Sequence, residues 1–572
     1  MLEKLYKYLP QSCWVYCCIS VLALILLGII GVGPDNWMYL NGYRTFLDYP
    51  VENMFFFQWY LTYWIGAILG LKTLVASRIF GGIVTMMIWG IAYLWLRKTV
   101  EKKMLGLGLT LATMGLFGTA TDFNYNNGSL LFMVVGLYCL SLGRRTAWLC
   151  AISGIVMGMA LFFRLPNLSF IIIGICPLFL LLIEKKYKIA HSLLQVAFFY
   201  VGYVLGVMLI FALMIPQGHD VIFVDMLRMA ANSTASGKNN EHSLIPLLIH
   251  TAKCYLVPLL IAGLGIVGAK ISITRKFFLV SEKYYYLLIV CFVAFFYLTG
   301  KSAAMIYWTI FTPILLYSLF SKDKVVDKYD VLMAGIMMYV FPLGCASIMS
   351  FCAPYVFWLA IPLALNFIWV NRVYFIKLQH LFATLLIALI IVITIKDFVF
   401  KTYSIYQGQY RFNSFTTMND ESVNGILTTK ENASIENTIK LLEKYIPKES
   451  YLVTDNSSFS VLLKAAPFGL SSYFLPDSYK LPLVAKSLEK THQLPYIIVN
   501  KVNEDYDYVK YLRQMGQYKT IRITEDLTLY KPLSYLNLKS ATYRVSWEFT
   551  CKTTKILLLY IFLGHNRNVV NT

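Results

Sequence analysis

The chain has 572 residues, of which 58% are hydrophobic and only 14% are charged, which is far less charge than a soluble globular protein carries. Apolar stretches of about 17–25 residues recur as far as residue 396, a pattern that indicates a polytopic membrane protein and excludes a soluble one. The net charge of +20 does not indicate nucleic-acid binding, because the lysines and arginines form short clusters between the apolar stretches. Such clusters attract anionic headgroups, so membrane lipids, and no nucleic acid, are the expected partners.

The apolar pattern predicts about thirteen membrane-spanning helices. In chain order they cover residues 13–33, 75–97, 104–119, 129–143, 147–163, 168–183, 190–214, 245–268, 284–299, 303–320, 331–348, 355–370 and 379–396. No convincing small-residue cleavage site follows the first of them, so we interpret it as a retained helix and not as a signal peptide.

Basic clusters in alternate loops predict how these helices are oriented. The clusters occupy residues 97–103, 144–145, 184–188, 274–283, 321–328 and 371–377, and they share one side with the N-terminal Lys4 and Lys7. Positive charge is retained on the cytoplasmic side, so the N-terminus is predicted to be cytoplasmic and everything after residue 396 to be extracytoplasmic. Residues 55–72 are also apolar, but counting them as a span would invert every later loop, so they are predicted to lie in the membrane interface.

A change of composition after residue 396 predicts a second domain. A linker over 397–430 leads to an amphipathic helix at 434–447, strands at 450–456 and 494–500, a helix at 505–515 and a hairpin at 518–532. The predicted fold is therefore a mainly α polytopic membrane domain (1–396) with a small C-terminal extracytoplasmic α/β domain (431–532). The tail, 533–572, contains an apolar stretch at 555–564 that is too short for an ordinary span.

The outer face of a membrane has neither ATP nor nucleotide sugars, so a group transferred there must arrive on a carrier such as a lipid phosphate. Transfer then needs a carboxylate that takes a proton from the acceptor and cationic or hydrogen-bonding groups for the phosphate. Asp35, in "GVGPDNW" at the outer end of the first span, is the candidate base, although a helix cap is the alternative. Asp48 is a candidate second acid or metal ligand, or else a turn residue before Tyr49 and Pro50.

The second and third external loops add further polar candidates. Asp122 lies in "GTATDFNYNNGS", where Asn124, Asn126 and Asn127 could bind a sugar; a polar turn is the alternative. Arg164, in "FRLPN", could bind the lipid phosphate, pair with an acid or extend to the interface.

The fourth external loop and the helix after it contain weaker candidates for substrate binding. His219 and Arg228 lie in the loop 215–244, and loops of this length often cover sites. Lys253 lies near the outer end of the next span and could contact phosphate. The eleven cysteines show no metal-ligand spacing, so no cofactor is certain, and a divalent metal ion remains open.

Taken in order, these motifs resemble the C-type (GT-C) polyprenyl-phosphate-dependent glycosyltransferases. The resemblance is strongest to bacterial relatives of the dolichyl-phosphate-mannose protein mannosyltransferases and to the aminoarabinose lipid A transferases. It covers most of residues 1–532 and is carried by "PDNW", "GYRTFLDYP", "SRIFGGIVTMMIWGIAYLWLRK", "DFNYNNGSLLF", "FRLPN" and "ITEDLTLYKP". Those families usually have adjacent acids after the first span, whereas here Asp35 is followed by Asn36.

The resemblance implies inverting transfer of a sugar from a polyprenyl-phosphate donor to a lipid, glycan or protein acceptor at the outer face of the cytoplasmic membrane. It implies that Asp35 deprotonates the acceptor, that Arg164 and Lys253 stabilise the departing phosphate, and that Asp122 supports the acceptor or the base. The sequence leaves open the sugar, the acceptor and the lipid length.

Two other functions stay open. A transporter or flippase of a lipid-linked glycan would place ionisable residues deep inside several spans and often repeats its halves. This chain keeps its ionisable residues near the span ends and shows no repeat. A non-catalytic envelope assembly protein of the same fold is the third reading, which the missing second acid keeps open.

Overall fold

A computed structural model describes residues 2–32, 34–45, 60–61, 64, 73–116, 122–183, 188–217, 223–224, 249, 251–256, 258–261, 263–264, 303–320, 327–343, 355–371, 387–388, 390–392, 394–395, 416–454, 456–469 and 477–533. The first part of the chain is helical. Its helices are α1 (Leu2–Tyr8), α2 (Cys13–Gly28), α3 (Pro34–Thr45), α4 (Leu74–Leu96), α5 (Lys102–Met114), α6 (Tyr125–Gly143), α7 (Leu149–Ala160), α8 (Cys176–Ile183), α9 (Ile189–Met214), α10 (Ala303–Phe320), α11 (Lys328–Val340) and α12 (Ala360–Asn371), with 3₁₀ segments at Leu165–Ile175 and Ile215–Gln217.

Several of these helices suit a membrane. Among the described residues, three helices are long and apolar enough to cross a membrane, judged by length and composition, namely α4, α6 and α9. They match the predicted spans 75–97, 129–143 and 190–214. Shorter apolar helices include α2 and α7. The predicted span 284–299 lies wholly outside the described residues, and the spans 245–268 and 379–396 lie partly outside them, so the total of about thirteen stays a prediction. The same holds for the interfacial segment 55–72 and for the tail.

Two predicted spans differ from the observed helices for local reasons. The span 13–33 ends as a helix at Gly28, and Gly31 then adopts φ +89°, which is the left-handed region that glycine enters without steric strain. The span 168–183 begins as the 3₁₀ segment Leu165–Ile175 with Pro166 near its start, and becomes α-helical only at Cys176. A single α-helix through both segments would need a backbone N–H at Pro177, which proline lacks.

Glycines let α7 and α9 pack with their backbones in contact. A Cβ on Gly154 would lie 2.0 Å from the Phe199 carbonyl oxygen, and one on Gly202 would lie 2.0 Å from that of Ala151. Gly158 and Gly206, each four residues further along, repeat the arrangement at 2.2 and 2.1 Å. Small residues at this spacing are a common means of close helix packing in membranes.

One end of the helical bundle is held together by polar contacts between loops that are distant in sequence. These contacts are Tyr6 Oη to Glu101 (2.8 Å), Glu101 N to Asn366 Oδ1 (3.0 Å), Trp95 Nε1 to Asp330 (2.8 Å) and Arg144 Nη1 to Asp327 (2.8 Å). Apart from Asn366, which lies inside the predicted span 355–370, these residues lie in or within two residues of the N-terminal segment and the predicted cytoplasmic loops 97–103, 144–145 and 321–328. The described parts of these loops therefore lie at one end of the bundle. That this end faces the cytoplasm stays a prediction.

The C-terminal part contains a mixed five-stranded sheet. The elements are β1 (Thr416–Thr417), β2 (Leu427–Thr428), α13 (Lys430–Ala433), α14 (Ile435–Leu442), β3 (Tyr451–Thr454), α15 (Ser457–Leu462), β4 (Ala466–Pro467), α16 (Asp477–Thr491), β5 (Tyr496–Asn500), α17 (Asp507–Met515), β6 (Tyr518–Arg522) and β7 (Leu527–Pro532), with a 3₁₀ turn at Lys501–Asn503. The strand order is β4-β3-β5-β7-β6, in which β3 runs parallel to β4 and β5 while β7 is antiparallel to β5 and β6. The predicted helices, strands and hairpin are confirmed within a few residues.

This C-terminal part packs directly on the helical bundle. Leu427 of β2 forms a parallel bridge with Ile30, just after α2. The helix α15 packs against α3, and in the part of α3 whose side chains are described, residues 36–42, every residue is buried. The helix α3 therefore lies between the bundle and the sheet domain, and it carries the candidate base Asp35 near its start.

Candidate active site

The candidate base lies directly after a sharp turn in the chain. The helix α2 ends at Gly28, and Asp35 is the second residue of α3, after Pro34. Proline suits the first turn of a helix because the N–H that it lacks would have no partner there. The backbone of Asp35 is described, whereas its side chain lies outside the described part of the structure. Asp48 also lies outside it.

A buried ion pair stands beside this turn. Arg78, in the first turns of α4, places its Nε 3.1 Å from Asp122 Oδ1, and their side chains are 3% and 0% exposed. Arg78 also donates from Nη1 to the Gly28 carbonyl oxygen (2.7 Å) and from Nη2 to that of Gly31. A buried guanidinium is stable only when its donors are satisfied, and here all three nitrogens have acceptors.

Asn36, which stands where the resembled families usually have a second acid, contacts this ion pair. Its Nδ2 donates to the other carboxylate oxygen of Asp122, and Asn36 is 1% exposed. A carboxylate at position 36 could not donate this hydrogen bond and would face Asp122 as a like charge. Burial raises the pKa of Asp122 above its ordinary value, while Arg78 and the Asn36 amide oppose that rise.

The asparagines that follow Asp122 build the start of α6. Asn124 is the N-cap, and its Oδ1 accepts from the N–H groups of Asn126 (2.8 Å) and Asn127 (3.0 Å). Asn127 Nδ2 donates to the Asp122 carbonyl oxygen (2.8 Å). The motif therefore caps a helix, and the polar turn named as its alternative is not formed, because Asn127 and Gly128 lie in the first turns of α6. All three asparagines are buried.

Arg164 is buried in a second polar cluster next to the first. Its nitrogens donate to Asn167 Oδ1 (2.8 Å), Asn126 Oδ1 (3.1 Å) and the Phe341 carbonyl oxygen (2.7 Å), and its guanidinium lies 4.1 Å from the centre of the Phe341 ring. Contact with a phosphate would require one of these nitrogens to exchange its acceptor. Asn126 and Asn127, which are neighbours on α6, link the Arg164 cluster to Asp122.

Of the remaining candidates, only Lys253 lies in the described part of the structure. Lys253 lies in a helical stretch at 251–256 and is exposed. His219 and Arg228 lie outside the described part of the chain. No group of three or more His, Cys, Asp or Glu side chains that could hold a metal ion occurs within the described ranges.

Sequence reasoning selected Asp122 but did not identify Arg78 and Asn36 as its partners. The signal was present, because an arginine in the first turns of an apolar span is expensive unless it is paired. The partner itself, which lies 44 residues away in sequence, could not be identified from spacing.

Comparisons with known proteins were made for the whole chain. No protein-family model matches the sequence, and a search of curated proteins found no match. The structure is similar to the Archaeoglobus fulgidus oligosaccharyltransferase solved with Zn and sulfate, at a TM-score of 0.45 and 13% identity, over 91% of this chain and 73% of that chain. It is similar to AglB from the same organism, solved with an inhibitory peptide and a dolichol-phosphate, at a TM-score of 0.44 and 13% identity, over 92% and 75% of the two chains.

A third similar structure is ArnT from Cupriavidus metallidurans bound to undecaprenyl phosphate. Its TM-score is 0.36 and its identity 10%, over 91% of this chain and 98% of that one. Two of these three structures, AglB and ArnT, were thus solved with a polyprenyl-type lipid phosphate, namely a dolichol-phosphate and undecaprenyl phosphate. The TM-scores are below 0.5, so neither a shared fold nor the role of any residue follows from them.

Proposed function

We propose that this chain is an integral membrane glycosyltransferase. It transfers a sugar from a polyprenyl-phosphate donor to an acceptor at the outer face of the cytoplasmic membrane. The observation that supports this best is the buried cluster of Arg78, Asp122 and Asn36 at the exit of the first span. Buried ionisable groups at a membrane protein's helix ends are expensive to maintain, and they commonly mark functional sites.

In the proposed reaction, Asp35 is the general base. It takes the proton of an acceptor hydroxyl while that oxygen forms a bond to the anomeric carbon of the sugar. The bond from the anomeric carbon to the phosphate oxygen breaks, and its electron pair leaves with the polyprenyl phosphate. Attack from the face opposite the leaving group inverts the anomeric configuration.

The other candidates take supporting roles in this proposal. Asp122 supports the base through the turn before α3, and Asp48 serves as a second acid. Arg164 and Lys253 stabilise the phosphate, and Asn124, Asn126 and Asn127 line the sugar side. His219 and Arg228 bind substrate from the fourth external loop. No step of the reaction is assigned to a metal ion.

The experiment is transfer from radiolabelled polyprenyl-phosphate sugars by purified protein in lipid, followed by identification of the labelled product. Asp35→Asn should lower the rate by about 100-fold or more, because a general base contributes about that much. Asp505→Asn, the same change at an exposed carboxylate paired with Lys510 at 3.4 Å, is the matched control and should be as active as the unmodified protein. Normal transfer by Asp35→Asn would contradict the mechanism.

Two further arms complete the experiment. Assays with EDTA and with added Mg²⁺ or Mn²⁺ measure whether transfer requires a divalent metal. Movement of the intact lipid-linked sugar across the membrane, with no sugar transferred, would instead indicate a flippase.

A further inference from the structure

The turn between α2 and α3, which we call the exit turn (residues 28–32), is held by Arg78 from the side of the bundle. The guanidinium donates to two carbonyl oxygens of the exit turn, those of Gly28 (2.7 Å) and Gly31. It is itself fixed by Asp122, whose second oxygen accepts from Asn36 in the first turn of α3. One arginine therefore connects the end of α2, the turn and the start of α3.

The exit turn is also held by the segment 422–432. Leu427 N donates to the Ile29 carbonyl oxygen (2.9 Å), and Gly31 N donates to the Leu427 carbonyl oxygen (2.7 Å). Asn432 Nδ2 donates to the Val32 carbonyl oxygen (3.0 Å). Further along, Leu74 N at the start of α4 donates to the Ser422 carbonyl oxygen (2.7 Å), so the same segment also holds the helix that carries Arg78.

The chemistry of these contacts explains why an arginine occupies position 78. A planar guanidinium can donate in three fixed directions at once, whereas a lysine ammonium on a flexible stem cannot reproduce that geometry. The exit turn also needs Gly31, whose φ of +89° directs its N–H to Leu427 and leaves its carbonyl oxygen to Arg78. The contacts therefore require the fixed geometry of a guanidinium at position 78, and not only a positive charge.

We infer that Arg78 is a positioning residue for Asp35, and that the segment 422–432 is the second half of a clamp that holds the exit turn. Asp35 follows Gly31 by four residues, so the clamp fixes where the helix that carries the base begins. The inference rests on the proposed function. It assigns a catalytic contribution to a segment that lies mostly in the predicted linker 397–430, and it gives Arg78 a role that differs from direct binding of the donor phosphate.

Kinetics of Arg78→Lys separate the two roles. The substrate is the labelled polyprenyl-phosphate sugar that the transfer assay identifies, used in mixed micelles over a range of concentrations. A misplaced base predicts a kcat that is lower by about 10- to 100-fold with KM for the donor within about twofold of the unmodified protein. Loss of a phosphate ligand predicts instead a raised donor KM. Arg144→Lys is the matched control, because Arg144 pairs with Asp327 at 2.8 Å at the other end of the bundle, and its kinetics should not change.

Hydrogen exchange provides a readout that is independent of activity. Arg78→Lys and Asn432→Ala should both speed exchange in peptides that cover residues 29–45, and Arg144→Lys should not. Unchanged exchange there in both variants, or a normal kcat of Arg78→Lys, would overturn the positioning role.

The two proposals fail in different ways. Normal activity of Asp35→Asn contradicts the proposed base, whereas an inactive Asp35→Asn together with a normal Arg78→Lys contradicts only the positioning role of Arg78.

Discussion

Replacement of Gly154 by alanine tests the close packing of α7 on α9. The added Cβ would stand 2.0 Å from the Phe199 carbonyl oxygen and 2.7 Å from the Tyr203 nitrogen, whereas ordinary contact begins at 3.4 Å. The helix backbones would have to separate by about 1.4 Å to relieve the first contact, because a backbone oxygen cannot rotate away as a side chain can.

The expected loss of stability follows from two opposing effects. Overpacking of this kind costs about 3 kcal/mol, and alanine is the better helix former by about 1 kcal/mol, so we expect a net loss of about 2 kcal/mol. Gly90→Ala in α4 is the matched control, because a Cβ there would meet nothing within 4 Å. Its stability should be unchanged or slightly higher.

The assay is unfolding of purified protein in dodecylmaltoside by increasing fractions of dodecyl sulfate, followed by circular dichroism and tryptophan fluorescence. The free energies of unfolding of the two variants and the unmodified protein are compared at one detergent composition. If Gly154→Ala were as stable as Gly90→Ala, the described contact between α7 and α9 would be wrong.

The remaining predictions concern stability as well. Asp122→Ala should lower the free energy of unfolding by about 3–5 kcal/mol, because it leaves Arg78 buried without its counter-ion, and a loss no larger than that of an exposed acid such as Asp505 would contradict the pair. Gly31→Ala should cost about 1–2 kcal/mol, the penalty for a side chain at φ +89°, as measured by the same detergent titration. The Tyr518 hydroxyl is buried and has no hydrogen-bond partner among the described residues, so Tyr518→Phe should leave stability equal or raise it by about 1 kcal/mol. Burial raises the pKa of Tyr518 above its ordinary value of 10.0, so above that pH the hydroxyl ionises more readily in the unfolded chain and the folded state loses stability. Tyr518→Phe removes this loss and should shift alkaline unfolding to higher pH.

The regular elements of this chain could be predicted from the sequence because they depend on local patterns. The alternation in residues 518–532 predicted the β6–β7 hairpin, and the long apolar runs predicted α4, α6 and α9. The charge pattern also assigned the loops 97–103, 144–145 and 321–328 to one side, and contacts of residues in or beside these loops lie at one end of the bundle.

The candidate site was less predictable because its contacts join distant segments. Asn36 lies 86 residues from Asp122, and Asn432 lies 400 residues from Val32. No spacing rule connects such positions. The sequence identified Asn36 as a departure from an acidic pair, but only the structure shows that its amide supplies a hydrogen-bond donor. The glycine contacts of α7 with α9 were missed for a different reason, because they depend on the path of a neighbouring helix.

The contacts at the predicted cytoplasmic end have a consequence for biosynthesis. The indole N–H of Trp95 meets Asp330, which lies 235 residues later, and the backbone N–H of Glu101 meets Asn366, which lies 265 residues later. At about 5–20 residues per second, a ribosome needs roughly 10–50 s to make each of these partners. The first helices therefore insert before these partners exist, and water at the membrane surface must accept from the two donors until α11 and α12 are made, so the contacts at this end are expected to form late in assembly.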